Sequence, residues 1–260
     1  MGRELEFAEV SHIGKRKENQ DYYGHLLTDH GGLFVVADGM GGHSGGALAS
    51  QTFVNVILQK ADQRRSGLAS RPRLALNDLI RLAGGYTSYT LNEKYPDLDP
   101  RTTCVMAWIS DDRLVAAHAG DSRLYILEKA GVVYQSRDHS IVQLLVEQGE
   151  VDEADAGSHP DQSRVYRSIG GDKKPKPAIR NLDTLESGQI VLLCTDGFWE
   201  HVTGEEMCQL VDSKNLNVDI KEMIKKAVIR GGKNCDNVTV SVIRFKKQGS
   251  NEFAPTINIL

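Results

Sequence analysis

The chain has 260 residues, 40% of them hydrophobic and 25% charged, which is ordinary for a globular protein of one large domain. Its net charge of −4 at pH 7 argues against nucleic acid as a partner, because proteins that bind nucleic acid usually carry a basic surface. No apolar run reaches the roughly eighteen residues of a membrane span. The four cysteines form no CxxC pair, so we expect a cytoplasmic protein with reduced thiols.

Short apolar runs rich in β-branched residues predict strands, and apolar residues at helical spacing predict helices between them. We expect strands at 5–13, 33–37, 104–109, 114–117, 124–127, 132–134, 190–194 and 238–245. We expect helices within 47–61, 76–91, 140–145, 203–211 and 220–228. Strands followed by two long adjacent helices and then a cluster of strands favour an α+β fold with antiparallel sheets, not βαβ units.

Two polar stretches interrupt this pattern. Residues 149–176 are rich in glycine and proline and are long for a connection without regular structure, so we expect a functional or mobile loop there. Residues 247–260 are expected to form a C-terminal tail, which leaves 1–246 as the main domain.

Two predicted strands end in the same dipeptide. Asp38-Gly39 follows the apolar run 33–37, and Asp196-Gly197 follows 190–194 after one threonine. An aspartate at the end of a buried strand is held rigidly, and the glycine beside it allows a close approach of a ligand or ion. One Asp-Gly pair alone more often begins an ordinary turn. The repeated ending favours a shared site.

Three further aspartates lie at strand ends. Asp236 precedes the last strand, Asp121 lies between two strands, and Asp21 follows the first strand. Each could belong to a turn. If they converge with Asp38 and Asp196, their repulsion requires a counter-charge, and a site of oxygen ligands fits Mg²⁺ or Mn²⁺ better than zinc. Two such ions can hold a hydroxide and brace a phosphate for attack.

Six segments together resemble one family. They are GKRKENQD (14–21), VADGMGGH (36–43), GDSR (120–123), DHS (138–140), CTDGFWE (194–200) and DNVTV (236–240). In this order they resemble the metal-dependent protein serine/threonine phosphatases of type 2C, the PPM family, and especially its bacterial branch. The resemblance implies a four-layer αββα sandwich, with two antiparallel sheets flanked by helices. It also implies that 149–176 forms a flap over the active site.

The resemblance also implies roles for the acidic residues. Asp38 would bridge two core ions, with the Gly39 carbonyl as a further ligand, and Asp196 and Asp236 would complete the first ion. Asp121, with Asp196, would match a third ion seen in bacterial members. Asp21 would hold water bound to an ion.

Two residues outside the acidic set match catalytic positions of the family. Arg16 would hold the substrate phosphate, since its guanidinium can donate two hydrogen bonds to phosphate oxygens. His43 would protonate the leaving oxygen as general acid. Without the family, Arg16 could be a solvated charge beside Lys15 and Lys17, and His43 could cap the following helix.

The function implied is hydrolysis of phosphoserine and phosphothreonine monoesters by a hydroxide that bridges two Mn²⁺ or Mg²⁺ ions. Substrates are expected to be phosphoproteins modified by a serine/threonine kinase in bacterial signalling. We expect a monomer with no nucleic-acid or membrane partner. Two alternatives stay open: a catalytically silent binding module of the same fold, and a two-metal phosphomonoesterase for small molecules.

Overall fold

The computed structural model describes residues 3–41, 45–152, 155, 157, 159–171 and 174–246. The predicted tail, 247–260, lies outside the described residues. The strands are β1 (Leu5–His12), β2 (Asp21–Thr28), β3 (Gly31–Met40), β4 (Arg101–Thr102), β5 (Cys104–Ile109), β6 (Leu114–Ala119), β7 (Arg123–Glu128), β8 (Gly131–Gln135), β9 (Ala178–Leu182), β10 (Ile190–Cys194) and β11 (Val238–Phe245). The helices are α1 (Gly45–Asp62), α2 (Arg65–Ser70), α3 (Pro72–Lys94), α4 (Ile141–Gln148), α5 (Asp196–Trp199), α6 (Gly204–Cys208) and α7 (Leu216–Gly231).

The strands form two sheets, and neighbouring strands pair antiparallel. One sheet has the order β1-β11-β10-β7-β8. The other has the order β2-β3-β5-β6-β9, and the short β4 also pairs with β3. The predicted α+β class with antiparallel sheets is confirmed.

Alternation of side chains along the central strands produces four layers. In β3, Leu33 and Val35 pack against α1 and α3, whereas Phe34 and Val36 face the other sheet. In β10, Leu192 packs towards α6 and α7, whereas its neighbours in the strand face the core between the sheets. A strand in the middle of such a sandwich is buried on both faces, so it needs apolar residues at every position. The four-layer αββα sandwich is therefore confirmed.

The predicted elements have the right order, and their bounds differ mostly at the ends. The strands 104–109, 190–194 and 238–245 lie where the sequence predicts them. The sequence analysis missed β2, β4 and β9 and the short helices α2 and α5. A capping box begins α6, because the Thr203 hydroxyl accepts from the Glu206 amide and the Glu206 side chain accepts from the Thr203 amide.

The antiparallel arrangement brings four chain segments to one edge of the sandwich. These segments are the end of β3, the β6–β7 connection, the end of β10 and the start of β11. The β6–β7 connection at Asp121 is not a hairpin, because β6 and β7 belong to different sheets. None of the described helices is long and apolar enough to cross a lipid bilayer.

Candidate metal centre

The edge described above contains a cleft of about 470 Å³ lined by predicted site residues. They are Arg16, Asp38, Gly39, Asp121, Asp196 and Asp236. Asp21 lies directly behind the cleft, since it pairs with Asp38 across β2 and β3. The structure therefore brings together all the predicted metal-site residues that it describes.

Two threonines hold the backbone of Asp38. The Asp38 amide donates to the Thr103 hydroxyl at 2.9 Å, and the Thr103 amide donates to the Asp38 carbonyl at 2.8 Å. The Thr102 hydroxyl also donates to that carbonyl at 2.8 Å. Sequence reasoning did not assign these threonines a role, because only the pairing of β3 with the β4 region reveals it.

The glycine after each aspartate is required by the packing of the protein's own backbone. A Cβ on Gly39 would lie 2.0 Å from the carbonyl oxygen of Gly46, and a Cβ on Gly197 would lie 2.1 Å from that of Asn237. These glycines allow neighbouring backbone to pass closely, since any side chain there would overlap it. This need is additional to the predicted approach of a ligand or ion, and Gly39 itself lines the cleft.

Asp21 is fully buried and only half satisfied. The Thr195 hydroxyl donates to its Oδ2 at 2.9 Å, whereas Oδ1 has no hydrogen-bond partner among the described residues. Burial raises the pKa of Asp21 to about 7, although hydrogen bonds from Thr239 and Thr195 act in the opposite direction. A buried acceptor without a partner is costly in free energy. It fits a site in which water or a cation lies next to Asp21.

Asp236 lies at the entrance of the cleft, and Asn237 fixes its position. The Asn237 side chain donates to the carbonyls of Ile13 and Glu18 at 2.9 and 3.0 Å and so ties the loop that carries Arg16 to the start of β11. The Arg16 guanidinium donates to Asp236 Oδ2 at 2.7 Å. A guanidinium is thus positioned beside the carboxylates, where a phosphate could reach it.

Asp121 is held through a stacked group of side chains. The Trp199 indole donates to the Asp121 carbonyl at 3.0 Å. The Arg123 guanidinium lies 3.5 Å from the centre of the Trp199 ring and pairs with Asp138 through contacts of 2.9 and 2.8 Å. This arrangement fixes the β6–β7 connection and, with it, the position of Asp121.

The carboxylates strongly oppose one another's ionisation. Burial is the main reason that the pKa values of Asp38 and Asp196 lie well above the usual value. Repulsion by the Asp196 carboxylate raises that of Asp38 further, and repulsion by Asp121 raises that of Asp196. Burial also raises the pKa of Asp121 to about 7. Such a cluster can be fully ionised near neutral pH only when cations neutralise it.

The arrangement fits Mg²⁺ or Mn²⁺, which use oxygen ligands. In the described part of the chain, no three acidic, histidine or cysteine side chains already surround one point as a closed ligand set. The aspartates instead line the wall of one open cleft. Mg²⁺ keeps several waters and needs only one or two carboxylates from the protein. An open row of carboxylates with one orphaned buried oxygen therefore suits these ions.

The predicted general acid, His43, lies outside the described residues. The predicted flap, 149–176, is described in part. Its Ile169 exchanges two backbone hydrogen bonds with Thr102, and its Ser163 lines the metal cleft. Arg164 of this segment forms an ion pair with Asp161 at 2.8 Å.

Comparison with known proteins agrees with this geometry. Residues 9–226 match the family described as Protein phosphatase 2C. The chain belongs to the protein phosphatase 2C family. It is accordingly a metal-dependent protein serine/threonine phosphatase, as the sequence analysis predicted, and neither alternative is favoured.

Individual relatives include phosphatases of two bacteria and one metal-bound structure. The serine/threonine phosphatase stp of Listeria monocytogenes is 30% identical over 243 residues, covering 84% of this chain and 90% of that protein. The serine/threonine protein phosphatase PstP of Mycobacterium tuberculosis is 32% identical, but the 81% of this chain that matches spans only 40% of its length. A crystal structure of a PstP catalytic domain with two manganese ions has 28% identity, a TM-score of 0.76 and coverage of 92% and 97%.

Proposed function

We propose that the metal cleft binds two Mn²⁺ or Mg²⁺ ions, which the Asp38 carboxylate would share, with the Gly39 carbonyl as a further ligand. Asp196 and Asp236 would complete the ligands of the first ion, and Asp121 with Asp196 would hold a third ion. The cleft, lined by four carboxylates whose like charges repel one another, is the observation that carries this proposal. The manganese ions in the related PstP structure support the choice of metal.

Each ligand role follows from the way the chain holds the side chain. Thr102 and Thr103 hold the backbone of Asp38 at the end of its strand, so the residue is fixed in the cleft before any ion binds. Asp21 has one oxygen bonded to Thr195 and the other without a hydrogen-bond partner among the described residues, which suits it to orient a water beside the ions. When bound, the ions supply an acidified water as nucleophile and draw electron density from the phosphoryl group.

Arg16 binds the phosphate of the substrate. Its side chain is 57% exposed and reaches the cleft from a loop held by Asn237. A guanidinium can change its partner from the Asp236 carboxylate to phosphate oxygens, since both accept its planar pair of N–H donors. Cations beside Asp236 favour that change, because they compete with Arg16 for the carboxylate.

His43 donates a proton to the oxygen of the departing serine or threonine. His43 lies four residues after Gly39 in the sequence. A histidine side chain ordinarily titrates near neutral pH, which suits a general acid. The substrates are phosphorylated proteins, and the phosphate they carry comes from a serine/threonine kinase. Release of a serine or threonine alkoxide needs this proton more than release of an aryl oxide does.

The proposal is tested by phosphate release from a phosphothreonine peptide with Mn²⁺, with Mg²⁺ and with EDTA. We expect turnover with either ion and none with EDTA. Arg16→Lys keeps the charge but loses the planar donor pair, so we expect a higher KM for the peptide. Turnover that persists in EDTA, after removal of tightly bound metal by dialysis, contradicts the proposal.

A further inference from the structure

A second cavity, of about 980 Å³, lies outside the metal cleft on the α1–α3 layer. It runs along α3, with the connection after α1 and the start of helix α2 on one side and Gly171, Lys174 and Pro175 on the other. We call it the α3 groove and define it by Arg64, Arg71, Leu74, Arg81, Gly85 and Lys174. None of the metal-cleft residues lines it.

The α3 groove is basic, although the whole chain has a net charge of −4. Arg64, Arg71, Arg81 and Lys174 line it, and Asp78 is the acidic residue among its described lining. Among the described residues, none of the four cations forms an ion pair. Cations gathered in a concave surface without such partners favour an anionic ligand through their combined field.

The outer face of α3 is apolar as well. Leu74, Leu82, Tyr86 and Tyr89 are 57%, 44%, 57% and 66% exposed and lie within one stripe along the helix. The opposite face of α3 already packs on the six-stranded sheet through other residues. A helix that is apolar on a second, exposed face has surface that is typical of a protein-binding site.

Gly85 gives an independent indication of a partner that approaches closely. It lies in the interior of α3, where glycine is the least favourable residue after proline. A Cβ there would meet no atom within 4 Å, whereas a Cβ on the adjacent Gly84 would lie 2.7 Å from Pro175. Packing within the protein therefore explains Gly84 but not Gly85. An absent side chain on the floor of the groove leaves room for the backbone of a ligand.

The α3 groove reaches towards the metal cleft. The Ser88 hydroxyl donates to the Gly171 carbonyl at 3.1 Å, and a Cβ on Gly171 would lie 2.8 Å from the Arg101 guanidinium. Arg101 pairs with Met40, at the end of the strand that carries Asp38. From Arg71 to Ser88 the helix extends about 25 Å, which matches about eight residues of an extended peptide.

We propose that the α3 groove binds an acidic segment, with at least one large apolar residue, of the phosphoprotein whose phosphorylated residue occupies the metal cleft. The inference rests on the proposed function. A polypeptide fits better than a membrane surface, because the cations lie within a walled groove and not on a flat or convex face. Aspartate and glutamate pair with the arginines, and the apolar residue packs on the exposed stripe of α3.

The test compares three substrates in Mn²⁺: p-nitrophenyl phosphate, a phosphothreonine peptide with about eight additional Asp, Glu and Leu residues, and the same peptide with Asn and Gln for the acids. The acidic extension is placed on the N-terminal or the C-terminal side in separate peptides. In Arg71→Glu/Arg81→Glu, we expect the KM for one acidic peptide to rise about tenfold, because two attractions become repulsions. The KM values for the neutral peptide and p-nitrophenyl phosphate should stay unchanged.

Two further variants make the result specific. Lys214→Glu/Lys221→Glu makes the same charge change at exposed residues next to and on α7, in the opposite layer, and should leave all KM values unaltered. Gly85→Glu places a negative charge in the groove at a position where nothing lies within 4 Å of the Cβ, and it should raise the KM for the acidic peptide alone. If the double arginine variant does not fold, this variant decides the outcome.

Several results would overturn the proposal. The proposal is wrong if the parent protein has equal KM values for the acidic and neutral peptides. It is also wrong if the groove variants change the KM for all three substrates by the same factor. If the groove variants lose binding to phosphatidylserine vesicles while their KM for the acidic peptide stays unchanged, the groove binds lipid and not a peptide. If the parent protein fails to hydrolyse p-nitrophenyl phosphate, the proposed function fails, and fluorescence anisotropy of the labelled acidic peptide still decides whether the groove binds it.

Discussion

The metal-free protein should become less stable as the pH rises from 5 to 7. Burial raises the pKa of Asp21 from 3.8 in the unfolded chain to about 7 in the folded protein. The folded state therefore holds this proton more tightly. Its contribution to stability is complete below pH 3.8 and is lost as the pH rises through 7.

The size of the effect follows from proton linkage. A pKa rise from 3.8 to about 7 corresponds to about 4 kcal/mol in the free energy of unfolding, of which about 2 kcal/mol disappears between pH 5 and pH 7. Asp121, whose pKa is also raised to about 7, acts in the same direction. Bound Mn²⁺ favours the ionised carboxylates, so a saturating concentration should cancel this loss.

Urea unfolding followed by tryptophan fluorescence at pH 5, 6 and 7, in EDTA and in Mn²⁺, measures the effect. Asp21→Asn should flatten the pH dependence by about 2 kcal/mol, because an amide does not ionise in this range. Asp29→Asn, in the exposed turn between β2 and β3, is the matched control and should keep the dependence of the parent protein. The linkage to Asp21 is refuted if Asp21→Asn keeps the pH dependence of the parent protein. It is also refuted if the metal-free parent protein is equally stable at pH 5 and pH 7.

Four other changes test separate parts of the account. Asp38→Ala should abolish Mn²⁺-dependent phosphate release while circular dichroism shows a folded protein, and near-normal turnover would contradict the ligand assignment. Trp199→Phe keeps an aromatic ring but removes the indole N–H that donates to the Asp121 carbonyl, so calorimetry should show Mn²⁺ binding weakened by roughly 3- to 10-fold at one site. Gly85→Ala should raise the free energy of unfolding by about 1 kcal/mol, because alanine is the better helix former and meets no neighbouring atom; a loss would contradict the open space above it. His43→Ala should slow hydrolysis of alkyl phosphates more than that of aryl phosphates, and equal losses would remove the general-acid role.

The central strands could be predicted from the sequence because both of their faces are buried. β5, β10 and β11 lie between layers, so each is apolar at nearly every position and has clear ends. β2 and β9 are the outer strands of the six-stranded sheet, and most of their residues are partly or fully exposed. With mixed polar and apolar residues, these outer strands give no periodic signal strong enough to separate them from loops.

The aspartates of the metal cleft could also be named from the sequence, but the residues that hold them could not. Thr103 is 65 positions from Asp38, and Thr195 is 174 positions from Asp21. A buried threonine next to a strand has no sequence feature that distinguishes a hydrogen bond to an aspartate from ordinary packing. Such contacts follow from the pairing of distant strands, which local patterns do not determine.

The most direct test of the central claim is the anomalous diffraction of a crystal of the protein grown with Mn²⁺. The account predicts at least two anomalous peaks in the cleft, both next to the carboxylate of Asp38, with Asp196 and Asp236 beside one of them. A crystal that contains ordered Asp38, Asp196 and Asp236 side chains at saturating Mn²⁺ but no anomalous peak among them would contradict it.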